Sequence, residues 1–170
     1  MKSLSEIDTV SKRATRAAGF SWGIAEEVGK NIRLLEIFGL PGIKNLNDFY
    51  KKKKENKFEN LNLINKDNKS EKYQFCPIRT GLSFLDQITS LEKLSEIKFT
   101  KIAYPLLFLP FISRASEIVG RRLFLKIDDK KFLLNFNNSI YSNFLKNEII
   151  ILGNKISITF MENSDTFSNN

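Results

Sequence analysis

Apolar residues near the start of the chain recur every three or four positions, which is the spacing of an amphipathic helix. The first such segment begins at Ser3, which has capping-box spacing with Glu6, and it ends at Gly19. The second segment begins at Ser21, a suitable N-cap, and it ends at Gly39. Because only a short turn separates the two segments, we predict an antiparallel helical hairpin at the start of the chain.

The middle of the chain combines helical patterns with one alternating segment. Residues 80–94 are mostly amphipathic and are typical of a helix in places, whereas residues 98–104 alternate in polarity like a strand. An apolar helix is predicted from Pro105 to Val119. Within it, Pro110 either kinks the helix or marks its true start.

The last third of the chain changes to the two-residue period of β-strands. Alternation through residues 123–127 and 132–136, on either side of a charged turn, predicts a β-hairpin. A second hairpin is predicted from residues 149–152 and 156–160 around a Gly153-Asn154 turn. The expected fold class is therefore α+β, with the N-terminal helical hairpin beside a mostly antiparallel sheet built from C-terminal β-hairpins.

Residues 43–72 differ from the rest of the chain in composition. They contain nine lysines, five acidic residues and several asparagines, and only their first apolar residues allow a short helix. We predict a lysine- and asparagine-rich loop or insertion here. It would lie within a single domain that spans residues 1–162, followed by a frayed tail over residues 163–170.

Net charge changes this picture only slightly. The 170-residue chain has 27 basic and 19 acidic residues, a formal charge of +8, and half of this excess comes from residues 44–72. Only seven basic residues are arginine, the side chain that nucleic-acid-binding proteins use for bidentate contacts. Nucleic-acid recognition is therefore not favoured, but weak, salt-sensitive binding of polyanions through the lysine-rich segment stays open.

Histidine is absent, and Cys76 is the only cysteine. These two facts remove the commonest general base, the usual zinc site, the histidine-dependent triads and any disulfide within the chain. We expect no metal site and no cofactor. The groups that remain as candidate catalysts are carboxylates, lysines, tyrosines, hydroxyl groups and one thiol.

A reactive thiol would need a nearby cation, such as Arg79, or a helix N-terminus, and the alternative for Cys76 is a small buried residue. Glu26 is preferred over Glu27 for a polar role because adjacent helical positions project about 100° apart. The candidate residues, none of which lies in a catalytic motif of fixed spacing, are Glu26, Arg33, Cys76, Arg79 and Arg114.

The segment from Gly19 to Gly23 is a glycine-rich turn before a helix, an arrangement that can bind anions. It lacks the GK[ST] ending and the preceding strand of a phosphate-binding loop. The favoured interpretation is a tight turn between two helices, packed by Phe20 and Trp22.

Two groups of residues are the basis of a resemblance to other proteins. The first contains RAAG, WGIAEEVG, Arg33 and GLPG within residues 16–42, and the second contains CPI at residues 76–78 and PLLFLPFISRA at residues 105–115. Together they resemble an uncharacterised family of short bacterial proteins, over most of the chain outside the lysine-rich segment and the tail. The resemblance implies no particular activity. The resemblance does imply that six residues belong to one structural arrangement: Arg16, Glu26, Arg33, Cys76, Asp86 and Arg114.

The absence of catalytic spacing and the 15 phenylalanines favour an interaction or accessory module of an enzyme complex rather than an enzyme. Residues 149–152 are apolar enough to pair across a homodimer or with a protein partner. Because the sequence has neither a signal-peptide pattern nor an apolar stretch of membrane-spanning length, we expect a cytoplasmic protein without membrane contact.

The main alternative is a small enzyme or binding protein for an anionic metabolite. It would use carboxylate and arginine groups, with the thiol as a further candidate, so it requires the five candidate residues to converge in one pocket. Weak nucleic-acid binding through the lysine-rich segment is a second alternative.

Overall fold

The computed structural model of the protein describes residues 2–136, 139–144 and 147–162. The helices are α1 (Leu4–Ala17), α2 (Trp22–Ile37), α3 (Gly42–Lys53), α4 (Pro77–Asp86), α5 (Ile88–Leu91) and α6 (Leu109–Val119). The strands are β1 (Asp67–Asn68), β2 (Glu96–Ala103), β3 (Leu123–Ile127), β4 (Lys130–Asn135), β5 (Ser139–Ser142) and β6 (Leu152–Phe160). The predicted α+β class is confirmed, and the predicted tail at residues 163–170 lies outside the described residues.

The predicted capping signals of the N-terminal hairpin are confirmed. The Ser3 hydroxyl accepts a hydrogen bond from the backbone N–H of Glu6 at 3.2 Å, and the Ser21 hydroxyl accepts one from Ile24 at 3.3 Å. Gly19, between the helices, has a φ of 97°, which side-chain-bearing residues rarely adopt. These local signals start α1 and α2 and turn the chain between them.

The six strands form one sheet in the order β1-β2-β6-β3-β4-β5. β1 runs parallel to β2, and the other neighbouring strands are antiparallel. Along β6, Ile156, Ile158 and Phe160 are buried and alternate with more exposed polar residues. On this buried face the ring of Phe99 lies 5.4 Å from that of Phe108, which immediately precedes α6. The helices therefore cover this face of the sheet.

The second predicted hairpin, over residues 149–160, is wrong. β6 runs as one strand through Gly153, which pairs with Ile102 of β2. A Cβ atom on Gly153 would lie only 3.0 Å from the Ile156 side chain, so glycine fits a closely packed position within the strand and does not form a turn. Residues 147–151 form no strand, and β6 lies between β2 and β3. The exposed edge that was expected here to pair with another chain is therefore absent.

Residues 43–72, predicted as a loop or insertion, contain most of α3 and all of β1. In α3 the side chains of Leu46, Phe49 and Tyr50 are buried and belong to the main core. Its last turn carries Lys51–Lys53. This helix therefore joins the fold and also brings lysines to its surface.

The chain around β1 lies along the edge of β2 that faces away from β6. The Phe75 N–H donates to the carbonyl of Lys101 at 2.8 Å, and the Ala103 N–H donates to the carbonyl of Phe75 at 3.0 Å. Glu59 and Phe75 also form a parallel bridge. These bonds place the segments before and after β1 side by side, directly ahead of α4.

The alternative start for the apolar helix is confirmed. Pro105 opens a separate 3-10 turn over Pro105–Leu107, and α6 begins at Leu109 with Pro110 in its first turn. Proline fits this position because the N–H it lacks would have no partner within the helix.

Candidate binding cleft

Three segments of the chain meet in an open cleft, which we call the α3–α4 cleft. They are the turn between α1 and α2, the end of α3 with the residues after it, and the start of α4. The cavity has a volume of about 360 Å³, within the range of small-molecule sites. Its wall consists of Gly19, Phe20, Lys53, Asn56, Lys57, Phe58, Asn60, Tyr73, Cys76 and Arg79.

The buried ring of Phe20 brings two cations together at the cleft. Its centroid lies 4.9 Å from Lys53 Nζ and 5.3 Å from Arg79 Cζ, within the range of cation–π contacts. Lys53 Nζ also donates to the carbonyl of Ala18 at 3.1 Å. Because Ala18 is the C-cap of α1, the end of that helix helps to hold Lys53 in place.

The described residues that line the cleft carry positive charge and no negative charge. The wall contains Lys53, Lys57 and Arg79, and no described residue in it is aspartate or glutamate. Within the part of the chain that the structure describes, none of these three cations forms an ion pair. The amides of Asn56 and Asn60 add neutral hydrogen-bonding groups. A cavity lined in this way has a positive potential and attracts anions.

The Glu59 carboxylate anchors the loop that carries Tyr73 into the wall. Its Oε1 accepts the backbone N–H of Lys72 at 2.7 Å and that of Tyr73 at 2.9 Å, and its Oε2 accepts the N–H of Glu71 at 3.2 Å. These hydrogen bonds, led by that from Lys72, hold the pKa of Glu59 below its usual value. The carboxylate of Glu59, which lies in the chain between the lining residues Phe58 and Asn60, is thus engaged by the backbone.

Cys76 lies at the N-cap of α4 and is 3% exposed. Burial raises the pKa of its thiol, and the backbone N–H groups of Arg79 and Ile78 offset only part of that increase. The thiol is therefore protonated at neutral pH, and a protonated thiol is a poor nucleophile.

A second cavity, which we call the aromatic cavity, adjoins the α3–α4 cleft and has a volume of about 350 Å³. The two share a wall of Asn56, Lys57, Phe58 and Tyr73. The remaining residues of the aromatic cavity are Lys52, Lys72, Gln74, Tyr104 and Ile151. The buried ring of Phe49 lies 5.2 Å from that of Phe58 and 5.6 Å from that of Tyr104, so the core supports two of the lining rings.

Arg114 lies away from the cleft, where α6 meets α2. Its guanidinium forms an ion pair with the Glu27 carboxylate and donates to Asn31 Oδ1 at 3.1 Å. Glu27, and not the predicted Glu26, therefore has the polar role on this helix, since Glu26 is exposed. The helix turns Glu27 toward α6 and its neighbour toward solvent.

The five candidate residues do not converge. Cys76 and Arg79 share the α3–α4 cleft, Arg114 is paired with Glu27, and Glu26 and Arg33 are exposed on α2. Of the other residues grouped by the resemblance, Asp86 is exposed, and Arg16 lies with its Cζ 4.6 Å from the centroid of the largely exposed Trp22 ring.

Sequence reasoning missed the lysines of the cleft because residues 51–54 have the composition of a solvated loop. One signal does identify Lys53: it follows the buried Phe49 and Tyr50 by four and three positions, which places it on their side of the helix. No comparable signal exists for Lys57. Its position depends on the bridge between Glu59 and Phe75, which are far apart in the chain.

Comparison with protein families adds a finding for the N-terminal part of the chain. Residues 2–75 match the family described as "Protein of unknown function (DUF3726)". The prediction that the chain resembles an uncharacterised family is thereby confirmed for residues 2–75, and the second group of residues, at 76–78 and 105–115, lies outside the match. The DUF3726 match contains α1 to α3 and most of the cleft wall, whereas Cys76 and Arg79 lie beyond it. Searches of curated proteins and of solved structures gave no match.

Two structural findings concern the helices and acidic side chains. Among the described residues, no helix combines the length and the apolar character needed to cross a membrane. Within the same residues, no group of three or more cysteine, aspartate and glutamate side chains is placed to hold a metal ion.

Proposed function

We propose that the protein binds a small dianion, such as a phosphate group, in the α3–α4 cleft. The observation that carries this proposal is the placement of Lys53, Lys57 and Arg79 around one cavity whose described wall contains no carboxylate. A guanidinium matches the geometry of phosphate oxygens, and lysines add mobile point charges. A dianion is favoured over a monoanion because the Coulomb energy grows with the product of the charges.

The state of the neighbouring groups supports binding rather than catalysis. The raised pKa of the Cys76 thiol keeps its nucleophilic form scarce. Glu26, the carboxylate that an enzyme mechanism would have used, is exposed on α2 and does not line the cleft. The cleft therefore offers strong anion ligands and few groups suited to proton transfer.

The predicted role as an accessory module, with a protein partner or as a homodimer, stays a prediction with weaker support. The apolar segment at residues 149–152 is not an edge strand. Ten phenylalanines are buried within the described residues, so the core accounts for most of the aromatic content. The core thus accounts for most of the phenylalanines, whereas Ile149 and Ile151 of the apolar segment stay exposed.

Titration calorimetry with inorganic phosphate at low ionic strength tests the proposal. We expect saturable binding, and we expect Arg79→Gln to weaken it roughly tenfold because a charge-assisted hydrogen bond is lost. Lys57→Gln should weaken it by a smaller factor. Added sodium chloride should reduce the affinity of the wild-type protein.

Matched controls come from residues of the same type outside the cleft. Arg33→Gln and Lys44→Gln remove one charge each from exposed positions on α2 and α3. They should leave phosphate affinity almost unchanged. Absence of phosphate binding, or equal losses in the cleft and control variants, would refute a site in the cleft.

The nucleic-acid alternative makes a different prediction. Lys51 and Lys54 are exposed and do not line the α3–α4 cleft. If the lysine-rich segment bound a single-stranded oligonucleotide, the Lys51→Gln/Lys54→Gln variant would weaken that binding. Phosphate binding in the cleft should be retained in the same variant.

A further inference from the structure

The aromatic cavity suggests what is attached to the anionic group, and this inference rests on the proposed function of the α3–α4 cleft. Asn56, Lys57, Phe58 and Tyr73 line both cavities, so a ligand bound in one lies next to the other. Each cavity alone is near the lower end of small-molecule sites. Together they accommodate a ligand with two chemically different ends.

Four of the nine residues that line the aromatic cavity are aromatic or aliphatic, and the other five are three lysines and two amides. Phe58 and Tyr73 lie in the shared wall, and Tyr104 and Ile151 lie beyond it. The Tyr104 hydroxyl already donates to the Asp48 carboxylate, so what this residue adds to the cavity is chiefly its ring. Such a lining favours a planar apolar group.

Exposure and charge support the same interpretation. Ile151 is 56% exposed although it borders a cavity, so a ligand there would cover apolar surface that now faces water. Lys72 also lines this cavity, and its Nζ lies 5.3 Å from the centroid of the Tyr73 ring, so the ring faces a wall that includes positive charge. The amides of Asn56 and Gln74 add hydrogen-bonding groups for heteroatoms of a ring.

We propose that the ligand is an aromatic or heteroaromatic phosphate monoester. Its phosphate binds at Lys53, Lys57 and Arg79 in the α3–α4 cleft. Its ring lies in the aromatic cavity against Phe58 and Ile151. Apolar contact in the second cavity raises the affinity above that of the phosphate alone.

The test compares inorganic phosphate with phenyl phosphate, using protein with ¹³C-labelled isoleucine methyl groups. Phenyl phosphate should bind roughly tenfold more tightly. It should shift the methyl signal of Ile151, whereas inorganic phosphate should not. Ile118, which is 58% exposed and borders neither cavity, is the control signal and should not move with either compound.

A pair of variants completes the test. Ile151→Asn should weaken phenyl phosphate binding severalfold and leave inorganic phosphate unchanged, and Ile118→Asn should affect neither. If inorganic phosphate binds but phenyl phosphate is no tighter, or Ile151 does not respond, the ligand assignment is overturned while phosphate binding stands. If neither compound binds, the proposed function fails and this inference fails with it.

Discussion

Arg79 and Arg114 have opposite surroundings, although the alternative of an anionic-metabolite site required both in one pocket. The side chain of Arg114 is 25% exposed, and it is engaged by Glu27 and Asn31. Arg79 is exposed at an open cleft, and in the described part of the chain its contacts include the Phe20 ring but no carboxylate.

This difference indicates how the molecule distributes its charge. A cation between packed helices needs a counter-charge because desolvation is costly. A cation at an open cleft keeps its hydration and can exchange it for an anion. The lysines and arginine of the cleft are therefore the charges available to a ligand.

The largest expected effect is a loss of stability when the ion pair of Arg114 is removed. Arg114→Met should lower the free energy of unfolding by about 2 kcal/mol, because Glu27 and Asn31 lose their shared partner in a half-buried site. Arg79→Met should change it by less than about 0.5 kcal/mol. Urea denaturation measures both, and equal losses would show that the two arginines do not differ in their structural role.

A smaller effect concerns the carboxylate that anchors the cleft wall. Glu59→Gln should destabilise the protein by about 1 kcal/mol at pH 7, because charge-assisted bonds from Lys72 and Tyr73 weaken. The native pKa of Glu59 lies below its ordinary value of 4.5, so this stabilisation is present above that value and is lost as the pH falls through the native pKa.

Urea denaturation across acidic pH checks the sign. The stability difference between wild-type protein and Glu59→Gln should shrink on acidification. Glu71→Gln, which removes an exposed carboxylate from the same loop, should track the wild-type curve. A constant difference down to low pH would contradict the role of the ionised Glu59.

The smallest effect appears at alkaline pH. Burial raises the native pKa of Cys76 above its ordinary value of 9.0. The neutral thiol therefore contributes to the free energy of unfolding below pH 9.0, and this contribution is lost as the pH rises above 9.0. Wild-type protein should lose a few tenths of a kcal/mol more than Cys76→Ala by pH 9. Thermal denaturation at pH 7 and 9 measures this, and a steeper loss in the variant would reverse the assignment.

Local signals in the sequence were sufficient for much of the fold. The serine caps at Ser3 and Ser21 and the alternation in β3 and β4 depend on neighbouring residues, and all are confirmed. The Gly153-Asn154 pair satisfied a turn pattern equally well, but packing of Gly153 against Ile127 and Pro105 and its pairing with β2 favour the strand. Such non-local packing cannot be predicted from a short segment of the sequence alone.

The same distinction applies to the cleft. Cys76 and Arg79 are three positions apart at a helix start, so the sequence could group them. Lys53 and Phe20 reach them only after α3 has packed against the N-terminal hairpin. Lys57 depends on the bridge between Glu59 and Phe75. The members of the site that were missed are those that tertiary contacts bring together.

The position of β6 constrains the order in which the protein can be assembled. It is the last of the six strands along the chain, yet it lies in the interior of the sheet between β2 and β3. As the ribosome releases the chain, β2 and the β3–β4 pair have no common partner until β6 emerges. The sheet is therefore complete only after the chain has been synthesised through β6. A chain truncated before Leu152 would contain two separate parts of the sheet, β1–β2 and β3–β5, each with an unpaired edge where β6 would lie.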